Sequence, residues 1–319
     1  MSKVFINKQF SSYLGENRAI LDTVVSYVSG GTIPTPTPST TPQPTPTLTP
    51  SPTTLNLEPE YQSVLNQAQV LGYDSPGYTQ RNKQNQLVRD LKTAGLWTKI
   101  SQLYMFRVDT SDGTSPGFTF INWITPTVLA SLQRTNTTFA LPSLTNNVGW
   151  TFNQNNSIQL GQNISAGPSP ITLTTSTGNT EGLYYQQFIG NSTSGNNYIW
   201  STNNNDWNRA LYNNTTGHSI WREKQLTAAY NFTGLGFKCQ TTNGLINTDV
   251  NRVFRNGGVS TTRSVASADA GIGGGQFFVN GVGNARHSWT CGMWFNGANL
   301  SSSVDIPALE TIINAYMTS

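Results

Sequence analysis

The runs GLYYQQFI, residues 182–189, and SWTCGMWF, residues 288–295, decide the fold of this chain. Both are short and rich in aromatic residues, which favours β-strands over helices. From residue 104 onward, similar runs recur at roughly 8–15-residue intervals between Gly, Asn, Ser and Pro clusters. The sequence therefore predicts a mainly β chain, folded as an antiparallel sandwich or jelly roll. We expect two of its strands over residues 104–108 and 118–123.

Three short helices flank this β region in the prediction. Apolar residues recur at three- and four-residue steps over 60–71, 79–94 and 306–317, and Gly72 and Gly95 follow the first two segments. Thr79 and Asp305 are the residue types that cap helix N-termini, and we expect them to act as N-caps.

Residues 10–28 form a further amphipathic pattern, separate from the β region. A lone helix of this length is marginal in water, so it needs either copies of itself or a groove on a larger assembly. We therefore predict that it mediates oligomerisation or anchoring, although packing back onto the rest of the chain is the alternative. The residues expected to carry the contact are Phe10, Tyr13, Leu14, Leu21, Val24 and Val25.

A proline- and threonine-rich tract, IPTPTPSTTPQPTPTLTPSPTT, occupies residues 33–54 and carries no charge. Proline lacks the backbone donor that helices and sheets require, so the tract is expected to extend as polyproline II. At about 3.1 Å per residue, some twenty residues reach roughly 60 Å. This composition is typical of a spacer, while a peptide ligand for SH3 or WW domains and a glycosylated stalk are the alternatives.

These patterns divide the chain into four predicted segments. The expected order is an anchor helix over 1–31, an extended linker over 32–56, a helical pair over 57–103 and the β domain over 104–319.

Composition excludes several classes of partner. Only 10% of the residues are charged, and the net charge of +3 is scattered rather than clustered. A nucleic-acid-binding surface is therefore not expected. No apolar run is long enough for a transmembrane helix, and the N-terminus lacks the apolar core of a signal peptide. We accordingly predict synthesis in the cytosol and no membrane insertion.

Metal and cofactor sites are not predicted. The sequence contains two cysteines, Cys239 and Cys291, and two histidines, His218 and His287, without CxxC or HxxxH spacing. Buried thiols are the expected state of both cysteines, and a disulfide between them stays open. The turn that holds Asp109 and Asp112 lacks the terminal acid and the spacing of a calcium loop.

Several longer stretches resemble a recurring module of tailed-bacteriophage virion proteins. EYQSVLNQAQVLGYDSPGYTQRNKQNQLVRDLKTAGLWTKISQLYMF, residues 60–106, is similar to the helical pair that precedes a concanavalin-like jelly roll there. FINWITPTVLASLQRTNTTFA (120–140) with VGWTFNQNNSIQL (148–160) looks like the opening of that jelly roll. RVFRNGGVSTTRSVA (252–266) looks like its NG hairpin, and residues 286–319 look like its closing strand and helix.

The N-terminal INKQFSSYLGENRAILDTVVSY, followed by the PTPTP tract, resembles the anchoring ends of phage head or tail fibres. The resemblance implies a structural appendage of a virion, assembled as a homo-oligomer and most simply as a trimer. Other virion proteins of the capsid, collar or tail would be its partners. A receptor-binding adhesin for host or environmental glycans is the alternative.

Catalysis is not predicted from the residues. Glycoside hydrolases need two carboxylates across the scissile bond, and retaining enzymes with this fold carry them in an E-x-D-x-x-E pattern. No such strand pattern is present, so we expect that the protein is not an enzyme; a capsule depolymerase is the disfavoured alternative.

Glycan binding has better support in YIWSTNNNDWNRALYNNTTGHSIW, residues 198–221. Aromatic faces with nearby carboxylate and amide groups are suited to sugars. Trp207 lies in a polar loop, and we predict that it binds glycan together with Asp206, Asn208 and Tyr212. Contact with another subunit is the alternative role for an exposed aromatic residue.

Overall fold

In the computed structural model of the chain, residues 54–319 belong to one compact unit. The structure describes residues 56–134, 141–152, 156–163, 179–190, 197–202, 210–213, 219–222, 230–232, 234–242, 251–264, 276–279, 288–298 and 300–319. The predicted anchor helix, with Phe10, Tyr13, Leu14, Leu21, Val24 and Val25, and the Pro/Thr linker lie outside these described residues.

The described part of the chain contains three α-helices, α1 (Pro59–Val70), α2 (Tyr78–Thr93) and α3 (Asp305–Thr318). The apolar positions that predicted them are buried, and Gly72 and Gly95 follow α1 and α2 with positive φ angles, as expected of helix stops. None of these helices is long and apolar enough to cross a membrane.

Fifteen strands are present among the described residues, and all of their pairings are antiparallel. In chain order the strands are β1 (Ile100–Met105), β2 (Ser131–Arg134), β3 (Ser143–Thr145), β4 (Gly149–Phe152), β5 (Asn156–Asn163), β6 (Asn179–Gly190), β7 (Asn197–Thr202), β8 (Ala210–Asn213), β9 (Ser219–Arg222), β10 (Tyr230–Phe232), β11 (Gly236–Thr242), β12 (Asn251–Asn256), β13 (Val259–Ser264), β14 (Gln276–Val279) and β15 (Ser288–Ala298).

The strands form two sheets. Within the described residues, the first sheet runs β13-β12-β11-β6-β15-β4-β3, and β1 also pairs with β15. The second sheet runs β10-β9-β8-β7-β14-β5-β2. The strands β6 and β15 are the longest, and they lie at the centre of the first sheet. They include the two runs from which the β fold was predicted.

Two separate hydrophobic clusters define the layers. On one face of the first sheet, Leu103, Met105 and Phe295 pack with the buried faces of the three helices. On its other face, residues such as Tyr104 and Trp294 pack with the second sheet through Ile158 and Leu160 of β5. The order of layers is therefore helices, first sheet, second sheet. Because both faces of the first sheet are covered, β15 buries apolar side chains on both of its faces, such as Trp294 on one and Phe295 on the other.

Two cysteines lie on opposite sides of the first sheet. Cys239 belongs to the cluster under the helices, whereas Cys291 belongs to the cluster between the sheets. Both are buried free thiols, and burial raises the pKa of each. A disulfide between them would have to cross the sheet, so the pair that the sequence left open is not formed.

Several local predictions were wrong. Residues Pro116–Phe120 form a 3-10 helix where a strand over 118–123 was expected, because Pro116 opens a turn and Thr119 donates back to its carbonyl at 2.7 Å. Thr79 is not a cap: α2 already includes Tyr78, and its N-cap is Gly77. Asp305 lies in the first turn of α3, where its carboxylate accepts from the Ser301 backbone N–H at 2.7 Å and binds Lys99 at 2.8 Å.

The coarse fold class agrees with the prediction: the chain is mainly antiparallel β sheet with few helices and a C-terminal helix.

Candidate functional site

The predicted glycan-binding segment belongs to the second sheet. Trp207, Asp206 and Asn208 fall in residues 203–209, outside the described part of the chain, between β7 and β8. Tyr212 lies in β8, where its backbone pairs with Tyr198 of β7 and Ile220 of β9. Their grouping as a site therefore stays a prediction.

Backbone pairing connects the predicted segment to a buried part of the second sheet. Ile158 of β5 is buried between the sheets and is paired with Val279, which is in turn paired with Trp200 of β7. The row of paired residues continues through Leu211 of β8 to Trp221 of β9.

A register shift between Tyr198 and Trp200 interrupts the pairing of β7 with β8. Tyr198 pairs with Tyr212 and Trp200 pairs with Leu211, so two residues of β7 span one step of β8, as in a β-bulge. The role of Tyr212 therefore stays a prediction.

The start of the compact unit is fixed to the helical layer. The buried Asn85 side chain of α2 accepts from the Glu58 backbone N–H at 2.7 Å and donates to the Asn56 carbonyl at 3.1 Å. The Glu58 carboxylate contacts Lys92 at 2.7 Å and Arg89 at 3.1 Å. Hydrogen bonds from Lys92 and Arg89 lower the pKa of Glu58. The chain that follows the Pro/Thr tract therefore enters the unit on α2, on the side opposite the second sheet.

A buried polar network joins α1, α2 and α3. The Tyr61 hydroxyl donates to Gln84 at 2.5 Å, and Gln80 and Gln84 donate to the Tyr316 hydroxyl at 2.9 and 3.4 Å. Burial raises the pKa of Tyr316 to about 12, so this phenol stays neutral. The network stabilises the packing of the helical layer, and its neutral groups are poorly suited to acid–base chemistry.

Carboxylates of the described residues are largely engaged in structural contacts. Asp109 accepts from Ser111, which lowers the pKa of its carboxyl, and Asp112 accepts from the Gly77 backbone N–H at 2.7 Å. Glu310 contacts Arg255 at 2.6 Å and accepts from the Gly258 backbone N–H at 2.8 Å. No group of three His, Cys, Asp or Glu side chains suited to a metal occurs within the described ranges.

A buried cation lies on the inner face of the first sheet. Lys238 of β11 is 1% exposed and donates to Asn256 of β12 at 2.8 Å. Burial lowers its pKa to about 8. Gln240, Asn296 and Gln102 lie on the same face and are also buried, so this part of the space between the sheets is polar. Sequence periodicity does not predict this polar region.

Two cavities open on the helical layer. The first, of about 290 Å³, lies between α2 and α3. The second, of about 450 Å³, lies along α1, the loop after it and the first turn of α2. Neither cavity was predicted, because each depends on how the helices pack.

Comparison with known proteins gives likenesses among solved structures alone. No family model matches the chain, and no curated protein matches it. A Trypanosoma rangeli sialidase in complex with 2,3-difluoro-KDN is similar at 10% identity and a TM-score of 0.48, over 74% of this chain and 40% of the sialidase. The chain thus spans less than half the length of that enzyme.

Two binding modules are similar as well. Domain 4 of AbnA, a GH43 extracellular arabinanase from Geobacillus stearothermophilus, in complex with arabinotriose, matches at 11% identity and a TM-score of 0.39, over 66% of this chain and 98% of that domain. The CBM2 module of the evolved Dit of Lactobacillus casei BL23 phage J-1 matches at 10% identity and a TM-score of 0.32, over 54% and 91%.

These findings correct the expectation that the protein is not an enzyme. Sialidases are enzymes, and they stand among the similar structures beside the binding modules. The missing acid pattern in the sequence therefore does not place this chain among non-catalytic proteins. At these identities the likenesses assign neither an activity nor a substrate to it.

Proposed function

We propose that the chain is an appendage of a bacteriophage virion, a head or tail fibre or decoration protein that displays a glycan-binding, concanavalin-like jelly roll. The N-terminal helix anchors it to capsid, collar or tail proteins and assembles a homotrimer. The Pro/Thr linker holds the β domain away from the particle, and the protein is located in the virion.

The observation that carries the proposal is the order of the layers. The linker joins the compact unit at Glu58, which is bonded to α2 in the helical layer. The strands β7, β8 and β9, which flank the predicted glycan-binding loop, belong to the second sheet, on the other side of the first sheet. A chain tethered on one side and bearing its candidate binding segment on the other is suited to display.

Glycan recognition by the second sheet is the functional part of this proposal. The predicted binding loop, residues 203–209, joins β7 and β8 of that sheet, and Tyr212 lies in β8. The alternative role is that of a receptor-binding adhesin, in which the same arrangement attaches the particle to its host. The resemblance in residues 60–106 and the N-terminal tract favour the virion context.

The test is binding of the full chain to arrayed bacterial surface polysaccharides. Trp207→Ala is expected to weaken glycan binding at least about tenfold, because stacking on an aromatic ring contributes roughly 1–3 kcal/mol. Tyr78→Ala is the matched control, since Tyr78 is an exposed aromatic residue at the start of α2. Failure to bind any polysaccharide, or equal binding by the Trp207 variant, would contradict the proposal.

A further inference from the structure

The cavity along α1 has the form of a small-molecule site. Its volume of about 450 Å³ lies within the range of about 300–1,000 Å³ that ligand pockets occupy. At ~30 Å³ per water molecule it holds about fifteen waters, which is room for a monosaccharide or a disaccharide. Leu65 of α1 and Leu57 before it supply an apolar part of the wall.

One wall of the cavity is a row of amide side chains. Gln62, Asn66 and Gln69 are spaced by four and three residues, so they follow one face of α1. The Gln62 side chain donates to the Asn66 side chain at 2.8 Å, and both amides are exposed to solvent. Amides offer both donors and acceptors, which suits hydroxyl groups that need both.

An aromatic residue is held at the end of this row. Gly72 ends α1 with a φ of 69°, and the Tyr73 backbone N–H then donates to the Ala68 carbonyl at 2.9 Å. The Tyr73 ring packs against Gly117 so closely that a Cβ there would lie 2.5–2.7 Å from three ring carbons. Because Gly117 has no side chain, the Tyr73 ring can take the position in which it lines the cavity.

Two charged groups complete the lining. Arg81 of α2 donates through Nε to the Pro76 carbonyl at 2.6 Å, which orients its guanidinium. The Asp74 carboxylate accepts a long hydrogen bond of 3.5 Å from the Ser115 hydroxyl, so most of its acceptor capacity is available. Within the described residues, Asp74 and Arg81 form no ion pair with each other, and the cavity carries one charge of each sign.

This lining selects a class of ligand. A carboxylate in the wall disfavours phosphates, and the many polar groups disfavour a purely apolar ligand. An aromatic ring, a row of amides and one charge of each sign fit an uncharged, polyhydroxylated molecule. We propose that this cavity binds a neutral mono- or disaccharide, with Tyr73 contacting the sugar ring and with Asn66, Asp74 and Arg81 bonding its hydroxyls.

The site lies in the helical layer, so it is separate from the second sheet that the proposed function uses. The experiment is saturation-transfer NMR on the full chain with D-glucose, D-galactose, N-acetyl-D-glucosamine and their β-1,4-linked disaccharides, each at about 10 mM to reach weak affinities. Competition between probes then gives a Kd for the one that binds best.

The substitutions Asn66→Ala and Arg81→Gln are each expected to raise that Kd about tenfold, because each removes roughly one hydrogen bond to the sugar. Gly117→Ala is expected to raise it too, because a Cβ displaces the Tyr73 ring. Asn82→Ala is the control, since Asn82 is exposed next to Arg81 and lines the other cavity.

Two results would overturn the inference. One is that none of these sugars receives saturation from the protein. The other is binding that survives Asn66→Ala and Arg81→Gln but is lost in Trp207→Ala. The second result would place the sugar at the second sheet and support the proposed function while removing this site.

Discussion

At the scale of single residues, the structure explains several polar side chains that the sequence leaves without a role. Gln80, Gln84 and Tyr61 lie on the buried faces of their helices and all belong to the network centred on the Tyr316 hydroxyl. A helical pattern identifies the buried face but does not indicate that amides on it are hydrogen-bonded to another helix far along the chain. The contacts of Gln80 and Gln84 with Tyr316 join residues more than two hundred positions apart.

Removing the Tyr316 hydroxyl should therefore destabilise the protein. Tyr316→Phe leaves the Gln80 and Gln84 amides without this acceptor in a buried site, at a cost of about 1–3 kcal/mol in the free energy of unfolding. Urea unfolding measures it. Tyr78→Phe is the matched control, because Tyr78 is 59% exposed. Equal stability of the Tyr316 variant and the wild type would mean that the network contributes little.

The buried Lys238 predicts a pH dependence of stability. Its folded-state pKa of about 8 lies below the ordinary value of 10.5, so between these values the unfolded chain binds more protons than the folded one. Lys238 alone therefore adds about 1–2 kcal/mol of stability between pH 8 and 9.5, while the buried Cys239 and Cys291 thiols, whose pKa values are raised, act in the opposite direction. Well below pH 8 Lys238 is protonated in both states and its contribution disappears.

Relative to Lys238→Met, the wild type should therefore gain about 1–2 kcal/mol in the free energy of unfolding between pH 8 and 9.5, as measured by urea unfolding. Lys83→Met, on the surface of α2, serves as the control for losing a cation and should retain the wild-type slope. A slope that is identical in wild type and Lys238→Met would show that Lys238 is not responsible.

At the scale of elements, much of the structure could be predicted. All three described helices lie within about two residues of their predicted bounds, because amphipathic spacing and glycine stops are local signals. The strand expected over 118–123 failed for a local reason as well, since Pro116 initiates a 3-10 turn. The covering of the first sheet by the helices could not be predicted, because it depends on contacts such as Phe295 with α3 that join distant parts of the chain.

The C-terminal helix depends on ion pairs at its edges. Glu310 of α3 binds Arg255 and the Gly258 backbone N–H, which ties the β12–β13 hairpin to the helix. The Arg255 side chain is 15% exposed and the Glu310 side chain is 5% exposed, so both are largely buried. Glu310→Ala should therefore cost about 3–5 kcal/mol, because it leaves a buried guanidinium without its carboxylate.

Urea unfolding of Glu310→Ala beside Thr311→Ala tests this, since Thr311 is exposed on the same helix. Hydrogen exchange should in addition show weaker protection of the hairpin, residues 251–264, in the Glu310 variant alone. Unchanged protection of that hairpin would contradict its attachment to α3 through Glu310.

At the scale of the whole molecule, the candidate site was predictable only in part. Aromatic and amide composition pointed to residues 206–212, and the structure adds that Tyr212 belongs to β8 of the second sheet. The α1 cavity had no sequence signal, because its wall combines a helix face, a loop and a second helix. The order of the layers could not be predicted from sequence patterns either. It supports tethered display, because it separates the start of the unit from the strands next to the predicted binding loop.

The central claim is that the N-terminal helix assembles the appendage while residues 54–319 are an independent displayed unit. The most direct measurement is the mass of the full chain by multi-angle light scattering, beside a chain that starts at residue 56. All three described helices and both hydrophobic clusters are retained in the shorter chain. We predict a trimer for the full chain and a folded monomer for the shorter one. A monomer in both cases, or a trimer in both, would contradict assembly through the N-terminal helix.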